Sequence, residues 1–238
     1  MTPDQSPVVL LHGLACDSFL WETTEDYLQR AGFEVHQPIM RNQDSISKMA
    51  EFVLGEVEGD FILGGLSMGG YVSFEIWRCA PERVKAMILS DTKHRLDNPE
   101  RVKAREQTMQ LVERGNFDQM AKLFHRMLTA PDYLHDVKKS EKLMAMIHRT
   151  SPEEYLRQQT AIFKRPDSTE TLATIDCPTL ILCGELDQIT PPVVHEEMAS
   201  KIPRAQLEII SGAGHLSTLE AGETVGPLIC NWLLGLAD

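Results

Sequence analysis

An α/β fold with about six parallel strands in one sheet is predicted for this chain of 238 residues. Three observations predict it. Short apolar runs alternate with helical patterns in both the first and the last part of the chain. The runs are continuously apolar, as strands covered on both faces are. Between His94 and Asp167 the strand-like runs vanish, so an all-helical segment interrupts the alternation. A hydrophobic content of 42% with 24% charged residues excludes disordered, collagen-like and coiled-coil chains.

Val8–Leu11 is the first strand, ending in His12-Gly13. A helix over Phe19–Arg30 follows, with Gly32 as its stop signal. Phe33–Ile39 is expected as the second strand, Ile46–Val57 as a helix and Phe61–Leu63 as the third strand. That strand runs into Gly64-Gly65-Leu66-Ser67-Met68-Gly69-Gly70, and a helix over about Met68–Cys79 follows, ended by Pro81. Val84–Leu89 is the fourth strand, closing near Asp91. In the helical segment, Met120, Leu123, Phe124, Met127 and Leu128 recur at helical spacing. Ser151-Pro152-Glu153-Glu154 reads as an N-cap, a Pro in the first turn and a capping-box Glu. Thr179–Cys183 (strand), Pro191–Lys201 (helix) and Gln206–Ile210 (strand) resume the alternation. A last helix carries Val225, Leu228, Ile229, Trp232, Leu233 and Leu236 on one face, with Gly226-Pro227 distorting its first turn.

Strands joined by helices imply right-handed crossovers, and ligands bind beyond the carboxyl ends of such strands. His12, Ser67, Asp187 and His215 all lie just past strand ends. Gly65-Leu66-Ser67-Met68-Gly69 is a G-x-S-x-G pentapeptide between strand and helix, a turn so sharp that its neighbours must lack side chains. A structural or phosphate-cradling glycine turn is the competing reading. No Gly-Lys-Ser/Thr follows and G-x-G-x-x-G is absent, so nucleotide motifs are excluded. A serine needs a base, and His215 lies in the Gly-rich Ser211–His215 loop. The base needs an acceptor to set its tautomer. Asp187 in Gly184-Glu185-Leu186-Asp187 is the favoured candidate, with Asp91 as the alternative. Backbone N–H groups of Leu14 and Met68 are the candidate oxyanion donors. His125, His135, His148 and His195 lie in helical segments with polar neighbours and are expected to face solvent. Met68, Phe124, Met127, Met144, Met146 and Phe163 are candidates for an apolar acyl site or for ordinary packing.

With LLHGLACDSFLW, GGLSMGGYVSFEI, APERVKAMILSDT, CPTLILCGELDQITPP and GAGHLSTLE in this order, nearly the whole chain resembles an α/β-hydrolase-fold serine hydrolase, carboxylesterase-like. The resemblance implies Ser67 as nucleophile, His215 as base, Asp187 as acid, Leu14 and Met68 as oxyanion donors, and no cofactor or metal. It implies a core of residues 1–94 and 168–238 and a small helical cap of residues 95–167. Many members open with an antiparallel hairpin; here Val8 starts the sheet, so that hairpin is expected to be lacking. Dehalogenases and epoxide hydrolases of this fold use a carboxylate nucleophile, which Ser67 argues against. The expected activity is hydrolysis of carboxylic esters with small to medium acyl groups through an acyl-enzyme. Thioester, enol-lactone or carbon–carbon bond cleavage, or peracid formation, by the same residues are alternatives, and a non-catalytic binding module is a more distant one.

Five cysteines without a C-x-x-C pair argue against a disulfide framework or zinc site. A net charge of −12 and a pI near 5.1 argue against nucleic-acid binding. No apolar stretch reaches membrane-spanning length, and no signal peptide is evident. A cytoplasmic protein acting on a small-molecule ester is therefore expected, with oligomeric state left open.

Overall fold

The computed structural model describes residues 6–236. Its single sheet has the strands β1 (Val8–Leu11), β2 (Val35–His36), β3 (Phe61–Leu66), β4 (Val84–Ser90), β5 (Thr179–Gly184) and β6 (Ala205–Ile210). All neighbours pair in parallel, in the order β2-β1-β3-β4-β5-β6. The expected six-stranded parallel sheet is thus observed. β1, β3 and β5 are buried at every position, which explains their unbroken apolar sequences. The expected absence of an N-terminal hairpin concerns residues 1–5, outside the described residues.

Around the sheet lie α1 (Glu22–Arg30), α2 (Ile46–Glu56) and α3 (Met68–Cys79). Between β4 and β5 come α4 (Pro99–Glu113), α5 (Phe117–Leu128), α6 (Pro131–His135), α7 (Val137–His148) and α8 (Pro152–Phe163). After β5 follow α9 (Pro192–Lys201), α10 (Ser217–Glu220) and α11 (Gly222–Gly235). Among the described residues no helix is long and apolar enough to cross a membrane.

Two elements depart from expectation. The second strand shrinks from Phe33–Ile39 to two residues at the sheet edge. Pro38 has no N–H for a ladder, and only β1 is available as a partner. The first helix begins as a 3-10 turn, Ser18–Trp21, whose Asp17 cap accepts the Phe19 N–H at 3.0 Å.

Polar ties fasten the helices α4–α8 to one another and to the loops that follow β1 and β4. Arg149 grips Asp17, in the loop after β1, through two hydrogen bonds of 2.6 and 3.0 Å. Asp97, just before α4, pairs with Lys93 (2.5 Å), Arg105 (2.7 Å) and Arg165 (3.3 Å), its side chain 3% exposed. Burial alone would raise its carboxyl pKa, but Arg105, Arg165 and Lys93 hold it well below the usual range. A depressed carboxyl contributes stability above its unfolded pKa of about 3.9 and loses it as pH falls through the lower folded value. Asp97→Asn, which strands buried cations, is therefore expected to cost roughly 3 kcal/mol at pH 7. The gap from wild type should narrow below about pH 4. Denaturant titrations at pH 7 and pH 3 check this; a pH-independent gap would contradict it.

Candidate active site

The chain reverses direction across the sheet between β1 and β3, so the loops leaving these two strands open a crevice at their carboxyl ends. Ser67 follows β3 at φ 54° and ψ −109°, a left-handed conformation rare for a residue with a side chain. Its backbone is clamped: the Ser67 N–H donates to Ser90 O at 3.0 Å, and Thr92 Oγ1 donates to Ser67 O at 2.8 Å. The glycines make the turn possible. A Cβ on Gly65 would lie 2.4 Å from Gly69 O, and one on Gly69 would lie 2.5 Å from Leu11 O. Ala15 and Asp91, in the loops after β1 and β4, also have positive φ. Backbone strain thus gathers at the exits of three neighbouring strands.

His215 comes from the loop after β6 and is 2% exposed. Its Nε2 lies 2.9 Å from Ser67 Oγ and its Nδ1 lies 2.8 Å from Asp187 Oδ2. Asp187 follows β5. Its Oδ1 accepts the N–H groups of Ile189 (2.7 Å) and Thr190 (3.0 Å), and its Oδ2 accepts Thr190 Oγ1 at 2.6 Å. Burial would push this carboxyl up, but the His215 charge, its hydrogen bond and the Thr190 donors bring it below the usual range. An ionised Asp187 only accepts, so Nδ1 carries the imidazole proton and Nε2 is left to accept from Ser67.

Asp91 is fully buried but makes no hydrogen bond to His215. Its Oδ1 accepts the Gly184 N–H at 2.9 Å; its Oδ2 accepts the Ser217 N–H, the Ser217 hydroxyl and the Ser90 hydroxyl. Burial and then the charge of Asp187 push its carboxyl up. Asp91, Cys183 and Asp187 offer ligand atoms within 4.8 Å of one another. Each is already committed to protein partners, the Cys183 thiol to the carbonyls of Gly184 and Thr190. Burial and the two carboxylates also raise that thiol's pKa, which disfavours a thiolate ligand.

His12 shapes the loop after β1. Its Nε2 accepts the Met40 N–H at 3.0 Å and its Nδ1 donates to Gly13 O at 2.8 Å. Burial lowers its pKa, consistent with the neutral ring these roles require. The Cys16 N–H also binds Gly13 O, at 3.2 Å. In a trans peptide the N–H points opposite the C=O, so Leu14 N–H faces away from these bonds. Met68 N opens α3, where helix N–H groups are unsatisfied from within.

The helices α4–α8 supply residues that the sequence reading missed. Gln158 of α8, 1% exposed, accepts the Ala15 N–H at 2.9 Å and so braces the loop of Leu14. The capping-box Glu154 turns from its cap to accept the Asn42 N–H at 3.1 Å. Leu128 O accepts the His215 N–H at 2.9 Å, while Glu220 accepts the N–H groups of Ala130, Gly214 and Leu216. His125 and His195 are buried, contrary to expectation, whereas His135 and His148 are exposed. His195 accepts the Thr92 N–H at 3.1 Å, and burial lowers its pKa to about 4.

A cavity opens at Ser67 and His215, with Leu14, Phe124, Leu128 and Ile162 among its walls. A second, roomier cavity shares Arg101, Arg105 and Phe124 with it and is also lined by Met127. Of the six candidate acyl-site side chains, only Phe124 and Met127 line these cavities; Met68 and Met146 pack into the core.

The fold defines the class to which the chain belongs. The α/β hydrolase fold family model matches residues 58–221, and the chain belongs to that family. It is similar to the pimeloyl-[acyl-carrier protein] methyl ester esterases of Nitrosomonas europaea and Vibrio parahaemolyticus. They are 24% and 26% identical; the alignments cover 91% of each chain in the first case, and 87% of this chain and 86% of the relative in the second. A thermophilic esterase from Thermogutta terrifontis, solved with malate bound, superposes at a TM-score of 0.88 with 32% identity, covering all of this chain and 92% of that one. The enol-lactonase of Burkholderia xenovorans LB400 shares the fold at a TM-score of 0.85 and 20% identity, over 96% and 92% of the chains. The protein is an ester-acting hydrolase of this fold.

Proposed function

We propose that the protein cleaves carboxylic esters of small to medium acyl groups, with Ser67 as nucleophile, His215 as general base and Asp187 as its carboxylate partner. The backbone N–H groups of Leu14 and Met68 form the oxyanion hole, and residues 95–167 act as a cap over a core of 1–94 and 168–238. The observation that carries the reading is the continuous relay Ser67–His215–Asp187, at 2.9 and 2.8 Å, opening on a cavity with apolar walls and two arginines at its edge. The esterase names of the relatives support an ester as the bond cleaved.

In the first half-reaction Nε2 of His215 takes the Ser67 proton as Oγ attacks the ester carbonyl. The negative oxygen formed is held by the two N–H groups, each such donor being worth about 3 kcal/mol. The ester C–O bond then breaks, and the alcohol leaves with the proton from Nε2. In the second half-reaction Nε2 takes a proton from water, the hydroxide adds to the acyl-enzyme, and Ser67 is released with its proton restored as the acid departs. Asp187 keeps the imidazole in the tautomer that leaves Nε2 free and stabilises the imidazolium between steps. No metal or cofactor enters this scheme.

A panel of p-nitrophenyl acyl esters of rising chain length, with lactones and acyl thioesters of matched acyl size, tests the reading. Short and medium esters are expected to give the highest kcat/KM, falling once the chain outgrows the cavity. A thioester or lactone turned over more than about tenfold better than its matched ester would move the assignment.

A further inference from the structure

Arg101 lies in the first turn of α4 and lines both the cavity at Ser67 and the one behind it. Its Nε is buried without a hydrogen-bond partner among the described residues. Among those residues its side chain also has no ion pair. Its neighbours are differently placed: Arg105 donates to Asp97 at 2.7 Å and to Gln159 at 2.9 Å, and Lys93 and Arg165 pair with the same Asp97. One carboxylate thus pairs with three cations and makes no ion pair with Arg101. Helix stability does not explain the arginine either, since a cation in a first turn opposes the helix dipole. Burial, and then the adjacent Arg105 charge, lower the pKa of the half-buried Arg101 against the weaker pull of Tyr71, Asp97 and Asp187. In a chain of net charge −12, an unpaired guanidinium beside the candidate nucleophile calls for an anion from outside. A guanidinium fork matches a carboxylate in two parallel hydrogen bonds.

Resting on the esterase reading above, we propose that the substrate is an ester carrying a free carboxylate, and that Arg101 is the residue that recognises it. The carboxylate docks on the Arg101 guanidinium while the ester carbonyl meets Ser67 in the same cavity. Phe124, Leu128 and Ile162 cover the chain between them. Arg105, fixed by Asp97 and Gln159, keeps the neighbourhood positive without being consumed by the ligand.

The test compares monomethyl glutarate with dimethyl glutarate, equal in backbone length and differing by one charge. Wild type is expected to favour the monoester by about 30-fold in kcat/KM, mainly through KM. Arg101→Gln should remove most of that preference, and Arg101→Lys should restore part of it. An equal loss on both esters in Arg101→Gln would mark a structural role and overturn the inference. A second measurement needs no variant: glutarate should competitively inhibit wild-type hydrolysis of p-nitrophenyl butyrate, and glutaramide should not. Hydrolysis of p-nitrophenyl butyrate with no charge preference and no inhibition by glutarate would overturn this inference alone. No hydrolysis of any of these esters would overturn the esterase reading and this inference with it.

Discussion

Ser67→Ala is expected to lower ester turnover by roughly 10⁵-fold or more, to the level left by binding and the oxyanion donors. The variant should also take no mass from a serine-directed phosphonate. The loss is large because no neighbouring group replaces the hydroxyl: His215 Nε2 points at Ser67 Oγ and would face a methyl group instead. Folding should be nearly unaffected, within about 1 kcal/mol. The strained backbone is set by Ser90, Thr92 and the close glycines, none of which depends on the hydroxyl. Thermal unfolding of both proteins, run beside the phosphonate mass shift, separates lost chemistry from lost fold. A folded variant that kept wild-type ester hydrolysis would remove Ser67 from the mechanism.

The proposed relay was legible in the sequence because each member sits in the loop that follows a strand. Ser67, Asp187 and His215 follow β3, β5 and β6, and strands of a parallel sheet deliver the residues after them to one edge whatever the intervening chain does. The glycines around Ser67 added a local signal, since the turn cannot close with side chains at Gly65 or Gly69. The supports were not legible. Gln158 reaches Ala15 across 143 positions, and His195 meets Thr92 across 103. Nothing local distinguishes such a buried helical residue from a solvated one, and so His195 and His125 are buried where their polar neighbours predict exposure. The second strand falls short for a local reason, since the other edge strand, β6, forms over six residues. Phe33–Ile39 has strand composition, yet with one partner and a proline only Val35–His36 joins the ladder.

The helices α4–α8 reach the proposed site at two points, and these give the apolar walls a fixed relation to the chemistry. Gln158 holds the loop bearing Leu14, and Leu128 O holds the backbone of His215. A change in how these helices pack therefore moves the candidate oxyanion donor and the candidate base together. Substitutions on the cavity wall can consequently alter kcat as well as KM, even at side chains that never touch the reacting atoms.

Asp187→Asn is expected to reduce kcat by about 10⁴, the scale seen when a triad carboxylate becomes an amide. The amide oxygen can keep the N–H bonds of Ile189 and Thr190. Its NH₂ group then faces His215 Nδ1, which must accept rather than donate. The imidazole proton moves to Nε2, and no lone pair is left for the Ser67 hydroxyl. Asp91→Asn tests the alternative acid. That carboxylate holds Gly184, Ser217 and Ser90 rather than His215, and burial with the Asp187 charge already pushes it toward its neutral form. An amide there sets an N–H against Ser217 N–H, so the expected effect is a stability loss of about 1–3 kcal/mol. The accompanying fall in kcat should stay below about tenfold, since His215 keeps its direct partner. Denaturant unfolding of both variants must accompany the kinetics, so that a loss of folded protein is not read as a loss of catalysis. A folded Asp91→Asn protein with the larger kcat defect would transfer the role of acid to Asp91, with the Asp187 carboxylate left to hold Ile189 and Thr190 in the loop.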